Sequence, residues 1–261
     1  MEMFLMKKGY KWIIGLTAAA AIITAGVNTS SSFAKTLSDV PVVGTIVKGV
    51  NFTAEGKVVN AQLKVPKIES LDNKELESSL NQKYIAENQK LYDEFKKDVN
   101  ELKEKGNGHL SVHSGYEVKT DDELIFSIGR YMNKTQGSSS TTMTYDTIDK
   151  KDQVLLTLPI LFKNNDYLAN ISENIKSQMK EQMKKDNNKV YWLNDPGIED
   201  INPANRFEQI SADQNFYINK DHKLVISFDE YEVAPGYMGV VEFIIPTEVI
   251  SKDLTGNKYF K

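Results

Sequence analysis

The 261-residue sequence contains no cysteine and only three histidines, seven prolines and two tryptophans. Without cysteine the chain has neither disulfide bonds nor a thiolate nucleophile, and metal sites built on cysteine ligands are excluded. Stability must therefore come from a packed core, which a chain of this length with 40% hydrophobic residues can bury. P-loop, dinucleotide-binding and calcium-loop patterns are also missing, so the sequence indicates no cofactor.

The few histidines offer little for a metal site. His109 and His113 have the spacing of two zinc ligands on one helix face, but no glutamate follows His109 and the surrounding pattern is that of a strand. A deacetylase-like site would also need an Asp-Asp pair ahead of the histidines. Asp121-Asp122 follows them and is typical of a turn, while His222 stands far along the chain. We therefore predict no metal site.

Other catalytic patterns are equally weak. The sequence has no Gly-x-Ser-x-Gly elbow and no Ser-x-x-Lys accompanied by Ser-Asp-Asn. Paired carboxylates of a glycosidase are not informative, because 36 acidic residues always supply some pair at the required distance. We predict that the chain is not an enzyme and has no catalytic residues.

The N-terminus has the layout of a signal segment. Three lysines precede an apolar run over 12–27, and the segment 1–34 ends in small residues that fit signal peptidase. We predict cleavage between Ala34 and Lys35. The run has 16 residues, fewer than the roughly 20 that span a bilayer, so an uncleaved membrane anchor is the alternative. Either interpretation places the rest of the chain outside the cytoplasm, secreted or as a single-pass membrane protein.

The exported part is acidic. Residues 1–34 carry three lysines and one glutamate, so their removal changes the formal charge from −4 to −6. A negative surface repels nucleic acid and favours cationic partners. We therefore expect a protein partner and no nucleic acid.

Hydrophobic periodicity predicts an α+β fold. After a connector at 35–52, residues 59–65 alternate as in a strand, and a long helix is predicted at 73–105 with Asp72 as N-cap and Gly106 just beyond its end. Three alternating runs between 110 and 147 then predict an antiparallel meander. Its segment Thr135–Ser140 is small and polar, which predicts an exposed hairpin loop.

The second half repeats this order of elements. A helix is predicted from Asp166, a long loop at 194–214, and strands at 216–218, 224–228 and 240–245. We predict one helix packed on an antiparallel sheet in each of two tandem subdomains, 53–155 and 156–261.

The loop before the last strand has the composition of a binding anchor. Pro235, Gly236 and Gly239 favour one defined backbone shape, and they place Tyr237 and Met238 at its tip. A preorganised aromatic side chain loses little entropy on contact. The alternative is that Tyr237 folds back on the sheet and caps the core.

Several long stretches, in order along the chain, resemble the RsiV-like anti-sigma factors and the wider DUF4163/DUF3298 family. They are AKTLSDVPVVGTIVKGV (34–50), IDKKD (148–152), LTLPILFK (156–163), YWL (191–193) and FYINKDHKLVISFDEYEVAPGYMG (216–239).

The resemblance implies an ectodomain that binds lysozyme. In this family, binding permits signal peptidase to cut just outside the membrane, a second protease cuts within it, and an extracytoplasmic-function sigma factor is released. The resemblance implies that Pro235, Gly236, Tyr237 and Met238, with Ser138 and Ser139, contact lysozyme, and that Ala34-Lys35 is the regulated cut. The two halves correspond to DUF4163-like and DUF3298-like subdomains.

One feature departs from the family pattern. Only Met1 to Lys11 precede the apolar run, which is too short to hold a sigma factor. We therefore expect a lysozyme-binding sensor or inhibitor. The alternatives are a complete anti-sigma factor whose cytoplasmic segment is missing from this sequence, and an accessory domain of cell-wall polysaccharide deacetylation.

Overall fold

The computed structural model of the protein describes residues 23–24, 46–54, 57–105, 109–194 and 206–261. The strands are β1 (Ile23–Thr24), β2 (Ile46–Ala54), β3 (Lys57–Val65), β4 (Leu110–Asp121), β5 (Ile125–Gln136), β6 (Ser138–Asp149), β7 (Val154–Leu156), β8 (Phe216–Ile218), β9 (Leu224–Phe228) and β10 (Val241–Ile245). The helices are α1 (Lys74–Lys105), α2 (Leu158–Leu161), α3 (Asp166–Lys185) and α4 (Thr247–Ile250), with a 3-10 turn at Gly236–Met238. The α+β prediction is confirmed.

Strands β1 to β7 form one sheet in sequence order. Strands β4 to β7 pair antiparallel, which confirms the meander, whereas β3 and β4 are parallel because α1 carries the chain back between them. Helix α1 matches the predicted range, but its cap is Asn73 and not Asp72. The Asn73 side-chain oxygen accepts a hydrogen bond from the N–H of Leu76 at 3.0 Å. Gly106 lies outside the described residues.

Helix α1 packs on this sheet through two apolar clusters. Its first half covers one cluster and its second half another, as the helical spacing predicts. The helix residues in them are Leu80, Tyr84, Leu91, Phe95, Val99 and Leu102.

An ion-pair network centred on the buried Arg130 and Asp146 also joins α1 to the sheet. The Arg130 guanidinium, on β5, pairs with Asp146 on β6 and with Glu87 on α1, and it lies 4.2 Å from the centre of the Tyr84 ring. Lys83 pairs with the other Asp146 oxygen at 3.0 Å. Burial alone would raise the pKa of Asp146, but Arg130 and Lys83 hold it below its usual value.

The hairpin between β5 and β6 is longer and tighter than predicted. Pairing continues out to Gln136 and Ser138, so only Gly137, with a φ of 81°, stands at the tip. The exposed hairpin is as predicted, but its loop is confined to the tip and does not extend over Thr135–Ser140. The strands continue because polar side chains bond across them: the Asn133 amide donates to the hydroxyl of Ser139 at 3.1 Å and to that of Thr141 at 2.9 Å.

The second sheet contains β10, β9 and β8 in that order, all antiparallel. Helix α3 covers it, with Ile171, Ile175 and Met179 fully buried. The three predicted strands and the second helix are confirmed. The predicted loop continues without helix or strand over 206–214, and residues 195–205 lie outside the described residues.

The two sheets contact each other directly. The hydroxyl of Thr120 on β4 donates to the Ile218 carbonyl on β8 at 2.7 Å, and the rings of Tyr145 and Tyr217 stack at 4.9 Å. Both tyrosine hydroxyls donate to Glu242, at 2.8 and 2.9 Å. The two helix-on-sheet units are thus packed together, while the subdomain boundaries at 53–155 and 156–261 stay predictions.

The N-terminal ranges contain two strands that the sequence did not indicate. Strand β2 lies partly inside the range predicted as a connector, and β1, inside the apolar run, pairs parallel with it. Among the described residues, no helix is both long and apolar enough to cross a membrane. Ala34 and Lys35 lie outside the described residues.

Candidate binding surface

The segment that follows β9 begins with a tight turn over residues 229–232. The Glu232 N–H donates to the Asp229 carbonyl at 3.0 Å, and the Asp229 N–H donates to the Glu232 carboxylate at 2.7 Å. The other Glu232 oxygen accepts from the Gln214 amide at 3.3 Å. These bonds give the entry to the loop one conformation.

The loop then passes through the core before it turns outward. Val233 and Ala234 are each 2% exposed, and the Val233 carbonyl accepts the N–H of Trp192 at 2.8 Å. Pro235 (φ −60°) leads into the 3-10 turn, which ends at Gly239 with a φ of 64°. A left-handed φ of this kind suits glycine, so the loop has the defined shape that its Pro and Gly residues predict.

Tyr237 projects into solvent from this turn. Its side chain is 68% exposed, so it does not cap the core. Met238 is partly buried and packs against the core of the second unit. The two residues predicted at the tip therefore differ in exposure. Tyr237 is available for contact, whereas Met238 mainly packs the turn on the sheet.

A second aromatic side chain of the loop, Tyr231, is one that the sequence patterns do not indicate. It is 47% exposed and has a φ of 69°. Its ring lies against Gly236, where an added Cβ would come within 2.2 Å of the Tyr231 Cζ. Gly236 is therefore needed for the close approach of the Tyr231 ring to the backbone, and not for a positive φ. No pattern in the sequence predicts the position of Tyr231, because tyrosine rarely adopts a left-handed backbone.

The hairpin tip and the loop are connected through β6. The Glu230 N–H donates to the Thr141 carbonyl at 3.1 Å, and an Asp229 oxygen accepts the N–H of Met143 at 2.7 Å. Ser138 and Ser139 are exposed at the start of the same strand. Ser139 is two residues from Thr141, or about 7 Å along a strand. The structure thus joins the turn that opens the loop to the strand that begins with Ser138 and Ser139.

The turn of the loop is acidic, with Asp229, Glu230 and Glu232 in four consecutive positions. Burial raises the pKa of Asp229, and the nearby Glu232 charge adds to this, while the hydrogen bond from Met143 opposes it. Glu232 is exposed and Glu230 is half-buried. This loop therefore offers negative charge beside two exposed rings.

The histidines and the Asp-Asp pair do not come together in one site. His113 lies on strand β4 and His109 precedes it, so the two do not share a helix face. His222 contacts Asp122 at 3.1 Å and the Tyr259 carbonyl at 3.0 Å. Asp122 closes the β4–β5 turn by accepting two backbone N–H bonds at 2.7 Å. In the part of the chain that the structure describes, no group of three or more His, Asp or Glu side chains could hold a metal ion.

Comparison with known proteins gives the family. Residues 160–248 match the model of DUF3298, a family described as proteins of unknown function. Solved DUF3298 structures from Bacteroides fragilis and Pseudomonas aeruginosa share the fold, with TM-scores of 0.57 and 0.56 at 15% and 11% identity. They cover 82% and 85% of this chain, and 93% and 99% of their own chains.

A much closer similarity is found to the anti-sigma-V factor RsiV of Bacillus subtilis. The two sequences are 51% identical over 247 residues, which is 94% of this chain and 84% of that protein. The resemblance read from the sequence is thereby confirmed, and the chain belongs to the RsiV family of anti-sigma factors.

Proposed function

We propose that this chain is an extracytoplasmic lysozyme-binding protein that senses or inhibits lysozyme. The observation that carries the proposal is Tyr237, which is 68% exposed on a loop whose backbone is held in one shape. A large exposed ring on a fixed loop is the usual form of a binding anchor, because its ordering cost is already met in the free protein.

Shape and charge support the same partner. The loop and the hairpin are both exposed at their tips, and an enzyme with an open substrate cleft offers a concave surface to receive such features. Lysozyme is strongly cationic, whereas the exported part has a formal charge of −6 and acidic residues at the turn. Complementary charge speeds association and disfavours acidic competitors.

The proposal predicts that the purified full chain forms a stoichiometric complex with a c-type lysozyme and inhibits it. Inhibition is expected because loops inserted in the cleft compete with substrate. Titration calorimetry at low salt and a muramidase assay measure the two effects. An absence of heat together with unchanged lysozyme activity at excess protein would contradict the proposal.

A second candidate is a complete anti-sigma factor that releases its sigma factor by regulated proteolysis. The 51% identity to the anti-sigma-V factor of B. subtilis favours it. In that case the chain is anchored in the membrane, signal peptidase cuts it after lysozyme binds, and an extracytoplasmic-function sigma factor is a further partner. Affinity purification of the chain from its own cells, with and without lysozyme, tests this: a sigma factor that co-purifies only without lysozyme supports it.

A further inference from the structure

Tyr231 occupies a position where its residue type is unfavourable. It is the third residue of the turn 229–232, and its φ of 69° is the left-handed value that glycine or asparagine adopts most easily. A bulky side chain in this region costs free energy, and such residues persist where something else requires them. The sequence thus places a ring where the backbone angle alone would favour a smaller residue.

At two other residues with a left-handed backbone, hydrogen bonds of the side chain give a structural reason for the unfavourable φ. The Gln153 side-chain oxygen accepts the backbone N–H bonds of Asp72 and Asn73, at 2.9 and 3.2 Å. The His222 ring bonds to a carboxylate and to a backbone carbonyl on opposite sides. Tyr231 differs, since 47% of its side chain faces solvent and its ring covers the backbone of Gly236.

That position brings two exposed rings onto one loop. Gly236 directly precedes Tyr237, so the Tyr231 ring lies beside the backbone that presents the other tyrosine. Among the described side chains, only six large hydrophobic ones are strongly exposed, and these two are among them. Glu230 and Glu232 flank Tyr231 in the chain. Tyrosine faces next to carboxylates suit arginine and lysine side chains, which stack on the ring and pair with the acid.

We propose that Tyr231 is a second aromatic contact residue, which together with Tyr237 binds the cationic surface of lysozyme. This inference rests on the proposed function. The left-handed backbone at Tyr231 holds its ring against Gly236, directly beside the residue that presents Tyr237.

The test replaces Tyr231 by asparagine in the full chain. Asparagine tolerates the left-handed backbone, so the melting temperature should stay within about 3 °C of the wild type. The dissociation constant for lysozyme should rise at least about tenfold, because a central aromatic contact is lost. Ile160→Asn, which removes a 55% exposed apolar side chain outside the loop, is the matched control and should bind like the wild type.

A second measurement separates direct contact from a role in shaping the loop. The chain is labelled with 3-fluorotyrosine, and the Tyr231 resonance is assigned as the one that Tyr231→Phe removes. Direct contact predicts that this ¹⁹F resonance shifts when lysozyme is added. An unshifted resonance in the complex overturns the proposal even where Tyr231→Asn binds weakly, and so does unchanged affinity of the Asn variant. If Tyr231→Asn melts at a much lower temperature, its affinity is not informative, and the shift of the Tyr231 resonance alone decides whether the ring contacts lysozyme.

The outcomes also distinguish the two proposals. Failure of the wild-type chain to bind lysozyme removes the proposed function, and the contact assigned to Tyr231 falls with it. If the wild-type chain binds lysozyme, and Tyr237→Ala weakens this binding but Tyr231→Asn does not, only the inference about Tyr231 is overturned.

Discussion

Replacement of Tyr237 by alanine should affect binding far more than folding. A tyrosine side chain has about 200 Å² of surface, and with 68% of it exposed only roughly 65 Å² is covered in the free protein. At about 25 cal/mol per Å² this covered area contributes at most about 1.6 kcal/mol to stability. Loss of a core-capping ring would instead cost about 3–5 kcal/mol. We therefore expect only a small decrease in the free energy of unfolding.

The exposed part of the same ring sets the scale of the binding effect. Burial of the remaining area, roughly 135 Å², in a complex would contribute up to about 3.4 kcal/mol at the same coefficient. We expect an affinity loss of about 2–3 kcal/mol, or about 30- to 150-fold in the dissociation constant.

Both quantities are measured on the same variant, by thermal or urea unfolding and by titration with lysozyme. Val118→Ala, which truncates a 41% exposed side chain on β4, is a control that should change neither quantity much. Unchanged lysozyme affinity, or a fall in stability large enough to explain the lost binding, would refute the reasoning.

Two further predictions concern the N-terminus and the buried pair of Arg130 and Asp146. Processing should occur after Ala34, so N-terminal sequencing of the mature protein should begin at Lys35; a start well beyond that residue would contradict it. Asp146→Asn should lower the free energy of unfolding by about 3 kcal/mol at pH 7, because it leaves the buried Arg130 poorly paired. The folded pKa of Asp146 is lowered, so its contribution is present above the unfolded value and is lost as the pH falls through the folded pKa. The stability gap between wild type and variant should therefore narrow at low pH in urea titrations; a gap of equal size at pH 7 and pH 2 would argue against this role.

The regular elements of the fold were predictable because their signals are local. The apolar spacing of α1 and α3 and the alternation along β4, β5 and β6 each reflect the period of one element. The cap of α1 was misplaced by one residue, since Asp72 and Asn73 are both good capping residues and only the backbone decides between them. Strand β2 was not predicted because Gly49 interrupts its alternation of apolar residues. The strand forms through pairing with β3, which its own residues do not indicate.

The sequence by itself determined the α+β class, the acidic charge, the family resemblance and the rigid loop that carries Tyr237. Only the tertiary structure decided that Ser138 and Ser139 lie on a strand, because cross-strand side-chain bonds extend the hairpin. It also showed that this strand and the loop meet at Thr141 and Glu230, which are far apart in the chain. The structure alone indicates Tyr231 as a contact residue, through its backbone angle and its contact with Gly236. Neither property follows from the residue type, since both depend on how the folded chain packs.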